Sequence, residues 1–190
     1  MTTEQLPTRR PRVALVFGGR SSEHAVSCST AASVLRSIDR SKYDVVPIGI
    51  AKDGHWVLVA DDPEPLRLRP GQVPEVGRDG SSVVVPLSTG DRSLTVLEPG
   101  QPPRALGEVD VVFPLLHGPF GEDGTIQGML ELADVRYVGS GVTASAVMMD
   151  KAMMKVVFAA AGLEVGPHIV ITDREWRRDP EVALARVESL

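Results

Sequence analysis

The sequence predicts an α/β domain built on a parallel sheet, and three observations carry that prediction. The apolar run Arg12–Phe17 stops at Gly18-Gly19, helical spacing follows, and a second apolar run covers Tyr43–Ile50. That is a strand–helix–strand order, whose crossover is right-handed. A third run, Val109–Leu116, ends on another glycine-rich loop, His117–Gly124, which leads into a second helical stretch. The first and third runs are nearly continuous in apolar residues rather than alternating, as in strands covered on both faces.

The elements follow in order. Residues 1–11 are polar and read as a disordered lead. Val26, Ala31, Val34, Leu35 and Ile38 give helical spacing over Ser27–Ile38. Pro47 inside the second strand points to an edge or an irregularity. Asp53-Gly54, set between that strand and His55–Val59, signals a hairpin. Residues 61–107 hold eight of the 15 prolines and read as a loop-rich insertion with a small antiparallel element at Ser82–Pro86 and Leu94–Leu97. After the third strand come a helix over Thr125–Ala133, a short strand at Arg136–Val138, and helices at Val142–Met148 and Asp150–Ala161, the second ended by Gly162. Val165–Ile171 reads as a further strand and Pro180–Leu190 as the start of a last helix. That helix ends on the last residue with no following strand, as if a second domain were beginning.

Composition narrows the function. The chain has 190 residues, 43% hydrophobic and 24% charged, which suits a folded globular protein. Twenty basic against 25 acidic residues give a net charge of −5. With aromatics at only 4%, that balance argues against general binding to nucleic acid or to an anionic membrane. A single cysteine, Cys28, excludes an internal disulfide and a Cys-rich zinc site, and fits a reducing cytoplasm. No apolar run approaches the roughly 20 residues that span a bilayer.

Three segments carry chemistry. The first is Phe17-Gly-Gly-Arg-Ser-Ser-Glu-His-Ala-Val-Ser27, a strand, a turn and a helix start. It is not the dinucleotide fingerprint, since Glu23 stands where the third glycine would fall, and no Gly-Lys-Ser/Thr makes it a phosphate loop. Glu23 suits a ligand's ammonium group; equally, Ser21 or Ser22 caps the helix and Glu23 is a favourable first-turn charge. The second is His117-Gly-Pro-Phe-Gly-Glu-Asp-Gly124, at the end of a parallel strand where open sheets bind ligands. Glu122 and Asp123 also suit plain helix capping there. The third is Asp150-Lys151 with Lys155 one turn on, which by itself reads as a capped, solvated helix. His24, His55 and His168 lack partners at metal-ligand spacing, and Cys28 reads as a small buried hydrophobe.

Taken together, Val16–Ser27, Leu116–Gly128 and Tyr137–Lys151 resemble the D-alanine–D-alanine ligases, in order and spacing and over nearly the whole chain. The resemblance implies a Rossmann-like pre-ATP-grasp domain over residues 12–140 and the start of an ATP-grasp central domain over 141–190. It implies an enzyme that uses ATP to activate one D-alanine as an acyl phosphate, which the amine of a second D-alanine attacks. Magnesium, or manganese in its place, neutralises the phosphates. By the same resemblance Glu23 is the catalytic-site residue holding the first substrate's ammonium. Val26 and His117 line that substrate site, with Ser21 and Ser22 beside them, and Lys151 reaches the nucleotide phosphates. The metal ligands fall after Leu190, so the 190 residues alone are expected to be inactive. A cytoplasmic homodimer serving peptidoglycan precursor synthesis is implied, with D-lactate or D-serine as alternative second substrates. A non-catalytic fragment that binds a small ligand or dimerises is the reading from another class.

Overall fold

The computed structural model describes residues 9–85, 88–91 and 93–190. Seven strands form one sheet in the order β6-β5-β4-β3-β2-β1-β7. The strands are β1 (Arg12–Gly18), β2 (Asp44–Ile50), β3 (Trp56–Leu58), β4 (Ser82–Val84), β5 (Ser93–Leu97), β6 (Arg104–Glu108) and β7 (Val111–Pro114). β1 lies between β2 and β7 and is parallel to both. All pairs from β2 outward to β6 are antiparallel.

The near-continuous apolar run of β1 is explained by burial on both faces. Ala14 and Val16 pack on one side with Ile126 and Leu130 of helix α2 (Thr125–Leu132) and with Ala133, its C-cap. Leu15 and Phe17 pack on the other with Cys28, Ala31 and Leu35 of helix α1 (His24–Ser37). Each fully buried side chain of this size contributes about 1.5–3 kcal/mol. The Cys28 thiol lies in that second layer, and burial pushes it up to about 12. It is expected to resist an aromatic disulfide reagent in the native protein and to react fully in denaturant; fast native labelling would show that the α1 face is open.

Several expectations are corrected. Pro47 does not mark an edge, since β2 pairs on both sides. Its carbonyl accepts from Val59 N–H at 3.1 Å just past the end of β3, so its missing donor falls where that ladder has stopped. The expected antiparallel element of the Pro-rich insertion is present, as β4 against β5. β4, β5 and β6 extend the main sheet, and β6 was not foreseen. Pro86 lies outside the described residues, as do residues 1–8. The lead is tied down before residue 12: Arg9 grips Asp110 with both guanidinium nitrogens, at 2.6 and 3.0 Å. Arg136–Val138 is no full strand but one parallel bridge, Tyr137 to Val112.

Asp110 also accepts from Arg12 N–H at 2.6 Å. Partial burial pulls its carboxyl upward, but the hydrogen bonds and charges of Arg9 and Arg12 hold it below its ordinary value of 3.8. A depressed carboxyl stabilises the fold above that ordinary value, and the contribution fades as pH falls through the lower, folded one. Asp110→Asn should therefore lower stability at neutral pH and flatten the acid limb of a pH–stability profile. Parallel wild-type and variant acid limbs would contradict this.

The chain divides into two compact units, 1–146 and 147–190, the boundary falling inside helix α3 (Val142–Met149). The second unit holds α4 (Lys151–Ala160), α5 (Asp173–Arg178) and α6 (Pro180–Glu188). Asp150 caps α4, accepting from Ala152 and Met153 N–H at 2.9 and 3.0 Å. α5 was not foreseen, although its capping box, Thr172 with Glu175, is present. The strand expected at Val165–Ile171 is absent: a strand needs a partner ladder, and among the described residues this unit offers none. Its backbone carbonyls at Gly166 and Val170 instead accept from Lys155 and Arg186 side chains. No helix among the described residues is long and apolar enough to cross a membrane.

Candidate functional site

The sheet's connections diverge between β1 and β7. β1 runs into α1 on one face, and β7 runs into α2 on the other. A crevice opens where neighbouring parallel strands send their chains to opposite faces, and ligands of open α/β sheets bind there. The two glycine-rich segments flank this crevice.

The β1 turn is held by buried hydroxyls and an imidazole. Gly18 has φ +89°, and its N–H donates to Ser27 Oγ at 2.7 Å. Ser27 Oγ in turn donates to Leu115 O at 2.6 Å, joining the β1 turn to the end of β7. Ser21 Oγ accepts from Glu23 N–H at 3.1 Å and donates to His117 O at 2.6 Å, a second link between the two loops. His24 is fully buried; its Nδ1 bonds Gly19 O at 2.7 Å and its Nε2 accepts from Val76 N–H at 3.0 Å. A carbonyl only accepts, so the Nδ1–H tautomer is the one that serves both partners.

The β7 loop is shaped by its own side chains. Glu122 accepts from Gly118 N–H at 2.7 Å, and Gln127 Nε2 donates to Gly121 O at 2.9 Å. Asp123 accepts from Phe120 and Thr125 N–H at 2.9 and 3.0 Å. Partial burial pulls the Asp123 carboxyl upward, yet these donors hold it below its ordinary value. Phe120 sits at φ +69°, a conformation that costs a non-glycine residue about 1–2 kcal/mol. Its ring carries the Arg20 guanidinium 4.6 Å from the centroid. Arg20, Ile50, Trp56, Leu116 and Phe120 contribute to the walls of a cavity of about 370 Å³ on the α2 side.

Glu23 is the N-cap residue of α1, yet its side chain makes no capping bond. Ser21, expected as a cap, is spent on the Glu23 N–H and the β7 loop instead. The Glu23 carboxylate is exposed, has no ion-pair partner among the described residues, and lies against Gly118. A Cβ at Gly118 would stand 2.5 Å from Glu23 Oε2, a carboxylate that can swing aside, so it is the φ of +70° that favours glycine there. His117 is half-buried, with Nε2 3.0 Å from Thr30 Oγ1. Val26, one turn before Thr30, leaves an apolar side chain 52% exposed beside them. The first unit thus gathers Glu23, Val26 and His117. Lys151, in the second unit, is exposed at the start of α4 with no carboxylate partner among the described residues. Ser27, His24 and Gln127 were missed as builders of the site. The Ser27 hydroxyl reaches the end of β7 and the His24 ring reaches Val76, contacts 88 and 52 residues apart that no local spacing signals, whereas the Gln127 amide serves its own loop at Gly121.

Two glycine loops facing each other across a switch point, one bearing an uncommitted carboxylate and the other an imidazole, form the kind of crevice in which open α/β sheets hold small ligands. Residues 12–140 match the family model described as the D-Ala–D-Ala ligase N-terminus, and the chain belongs to that family. A D-alanine–D-alanine ligase of Arthrobacter sp. (strain FB24) is 61% identical over 181 residues, 95% of this chain and 47% of that protein. Two solved structures are similar at 31% identity, each covering 95% of this chain and 49% of its own. They are a D-Ala:D-Ser ligase from Enterococcus faecalis, with a TM-score of 0.75, and the D-alanine–D-alanine ligase from Coxiella burnetii, with a TM-score of 0.73. The chain spans about half the length of the relatives it matches.

Proposed function

We propose that the chain supplies the first-substrate side of an ATP-dependent D-alanine–D-alanine ligase that serves peptidoglycan precursor synthesis. The observation that carries this is Glu23: an acidic N-cap that does no capping, has no ion-pair partner among the described residues, and stands at the switch-point crevice. An unspent carboxylate there suits the ammonium of an amino acid. Family membership and 61% identity to a D-alanine–D-alanine ligase support the rest.

In this reading ATP, when bound, supplies the phosphoryl group that activates the substrate carboxylate. Glu23 orients the first D-alanine by its ammonium, so that the carboxylate end is presented for reaction. His117 lines the neighbouring cavity and Val26 stands exposed on the first turns of α1, one polar and one apolar. Lys151 carries an unpaired point charge of the kind that meets a polyphosphate. Among the described residues no group of three or more His, Cys, Asp or Glu is placed to hold a metal ion, so these residues offer magnesium no fitting site. Cytoplasmic location and a homodimer belong to the same proposal, resting on the family.

The test is D-alanine-dependent phosphate release from ATP by a protein of the relatives' full length. Turnover that needs D-alanine supports the reading, and its absence overturns it. In that assay Lys151→Ala should raise KM for ATP roughly 10-fold or more while KM for D-alanine stays within about twofold. An unchanged nucleotide KM would return Lys151 to the role of a solvated helix residue.

A further inference from the structure

His117 and Thr30 sit on different elements, the β7 loop and the second turn of α1, and meet side chain to side chain. Thr30 Oγ1 also bonds back to Val26 O, at 3.0 Å. A threonine hydroxyl has one proton to give. Val26 O can only accept, and in that bond the hydroxyl proton lies toward the carbonyl. While it does, what Thr30 offers the imidazole is a lone pair, and His117 Nε2 is the nitrogen that donates. The other ring nitrogen, Nδ1, has no hydrogen-bond partner among the described residues. His24, five residues from Gly19, is held the opposite way round, with the proton on Nδ1.

We propose that Thr30 is a positioning residue that locks His117 in the Nε2–H tautomer and so leaves Nδ1 as an open acceptor. This rests on the reading of Glu23 as the ammonium anchor, and it deepens that reading. Glu23 is acceptor-only when ionised, and a His117 of this tautomer adds a second acceptor on the residue next to Gly118, against which the Glu23 carboxylate lies. Two acceptors suit a ligand with several N–H donors on one atom, that is, a primary ammonium. A 2-hydroxy acid such as D-lactate has one O–H donor and no positive charge, and the site rejects it as first substrate. No other group in the first unit is needed for the lock, because α1 itself fixes Thr30 relative to Val26.

Nitrogen-15 correlation spectra of the four imidazoles, recorded on the 190-residue chain under mildly alkaline conditions where imidazole is neutral, read the tautomers directly. His117 is expected as Nε2–H and His24 as Nδ1–H, each an internal contrast for the other. In Thr30→Val the His117 signals should move toward the averaged pattern of a free imidazole while the His24 pattern stays, which also shows that the fold has survived. Thr30→Ser should restore the wild-type pattern. A His117 that is averaged or Nδ1–H in the wild type, or unmoved by Thr30→Val, overturns the proposal. In a protein of the relatives' full length, Thr30→Val should raise KM for D-alanine roughly 3- to 10-fold with the ATP KM unchanged. A locked tautomer with an unchanged D-alanine KM also overturns it. Failure of the underlying site reading looks different: Glu23→Gln would then leave D-alanine kinetics alone while both tautomers remain as described.

Discussion

Replacing Gly18 by alanine should cost about 3–5 kcal/mol of folding stability. Gly18 sits at φ +89°, which L-residues adopt at a cost of about 1–2 kcal/mol. The added Cβ would also drive into the Ile50 carbonyl, a backbone atom that cannot swing away, and crowd Val76 and His24 at 3.0 and 3.1 Å. Yielding there would disturb the Gly18 N–H bond to Ser27 and the His24 bond to Val76 together. Gly71 is the control, since it has φ +76° with nothing within 4 Å of its would-be Cβ. Gly71→Ala should show the conformational cost alone. Chemical denaturation of the two variants checks this, and equal losses would show that the turn at Gly18 is not packed as described.

Glu23→Gln, in a protein of the relatives' full length, should lower kcat/KM for D-alanine roughly 10- to 150-fold. That corresponds to about 1.5–3 kcal/mol for one charge-assisted hydrogen bond. The carboxylate is exposed in the structure, and the bound amino acid is what shields it from water. The same variant should fold normally, because the Glu23 side chain makes no capping bond to lose. Steady-state kinetics and a melting curve test both halves. A kcat/KM within about twofold of wild type would remove Glu23 from the substrate site, and a large drop in melting temperature would give it a structural role instead.

The parts of the fold that were legible are those whose signal is local. β1 and β7 are unbroken apolar runs with glycines just after them, and α1, α2, α4 and α6 show helical spacing or a clear start. β6 was not legible because Arg104–Glu108 has no β-branched residue; its ladder with β5 makes it a strand. The reverse error was made at Val165–Ile171, whose β-branched residues look like a strand but have nothing to pair with. α5 is signalled by Thr172 and Glu175, three apart, but its six residues are too few to show helical periodicity. At the site, Glu23 and His117 stood out through their motifs. What joins them, the hydroxyls of Ser21, Ser27 and Thr30, depends on the register of β1 against β7 and on which face α1 turns inward. No sequence spacing between residues about 90 apart encodes that.

The central claim is that the first substrate's ammonium sits on Glu23. A crystal structure of a protein of the relatives' full length with D-alanine and a non-hydrolysable ATP analogue tests it most directly. The account predicts the amino nitrogen within about 2.7–3.2 Å of a Glu23 carboxylate oxygen. Finding that nitrogen held by other groups, with Glu23 facing solvent more than about 4 Å away, would contradict it.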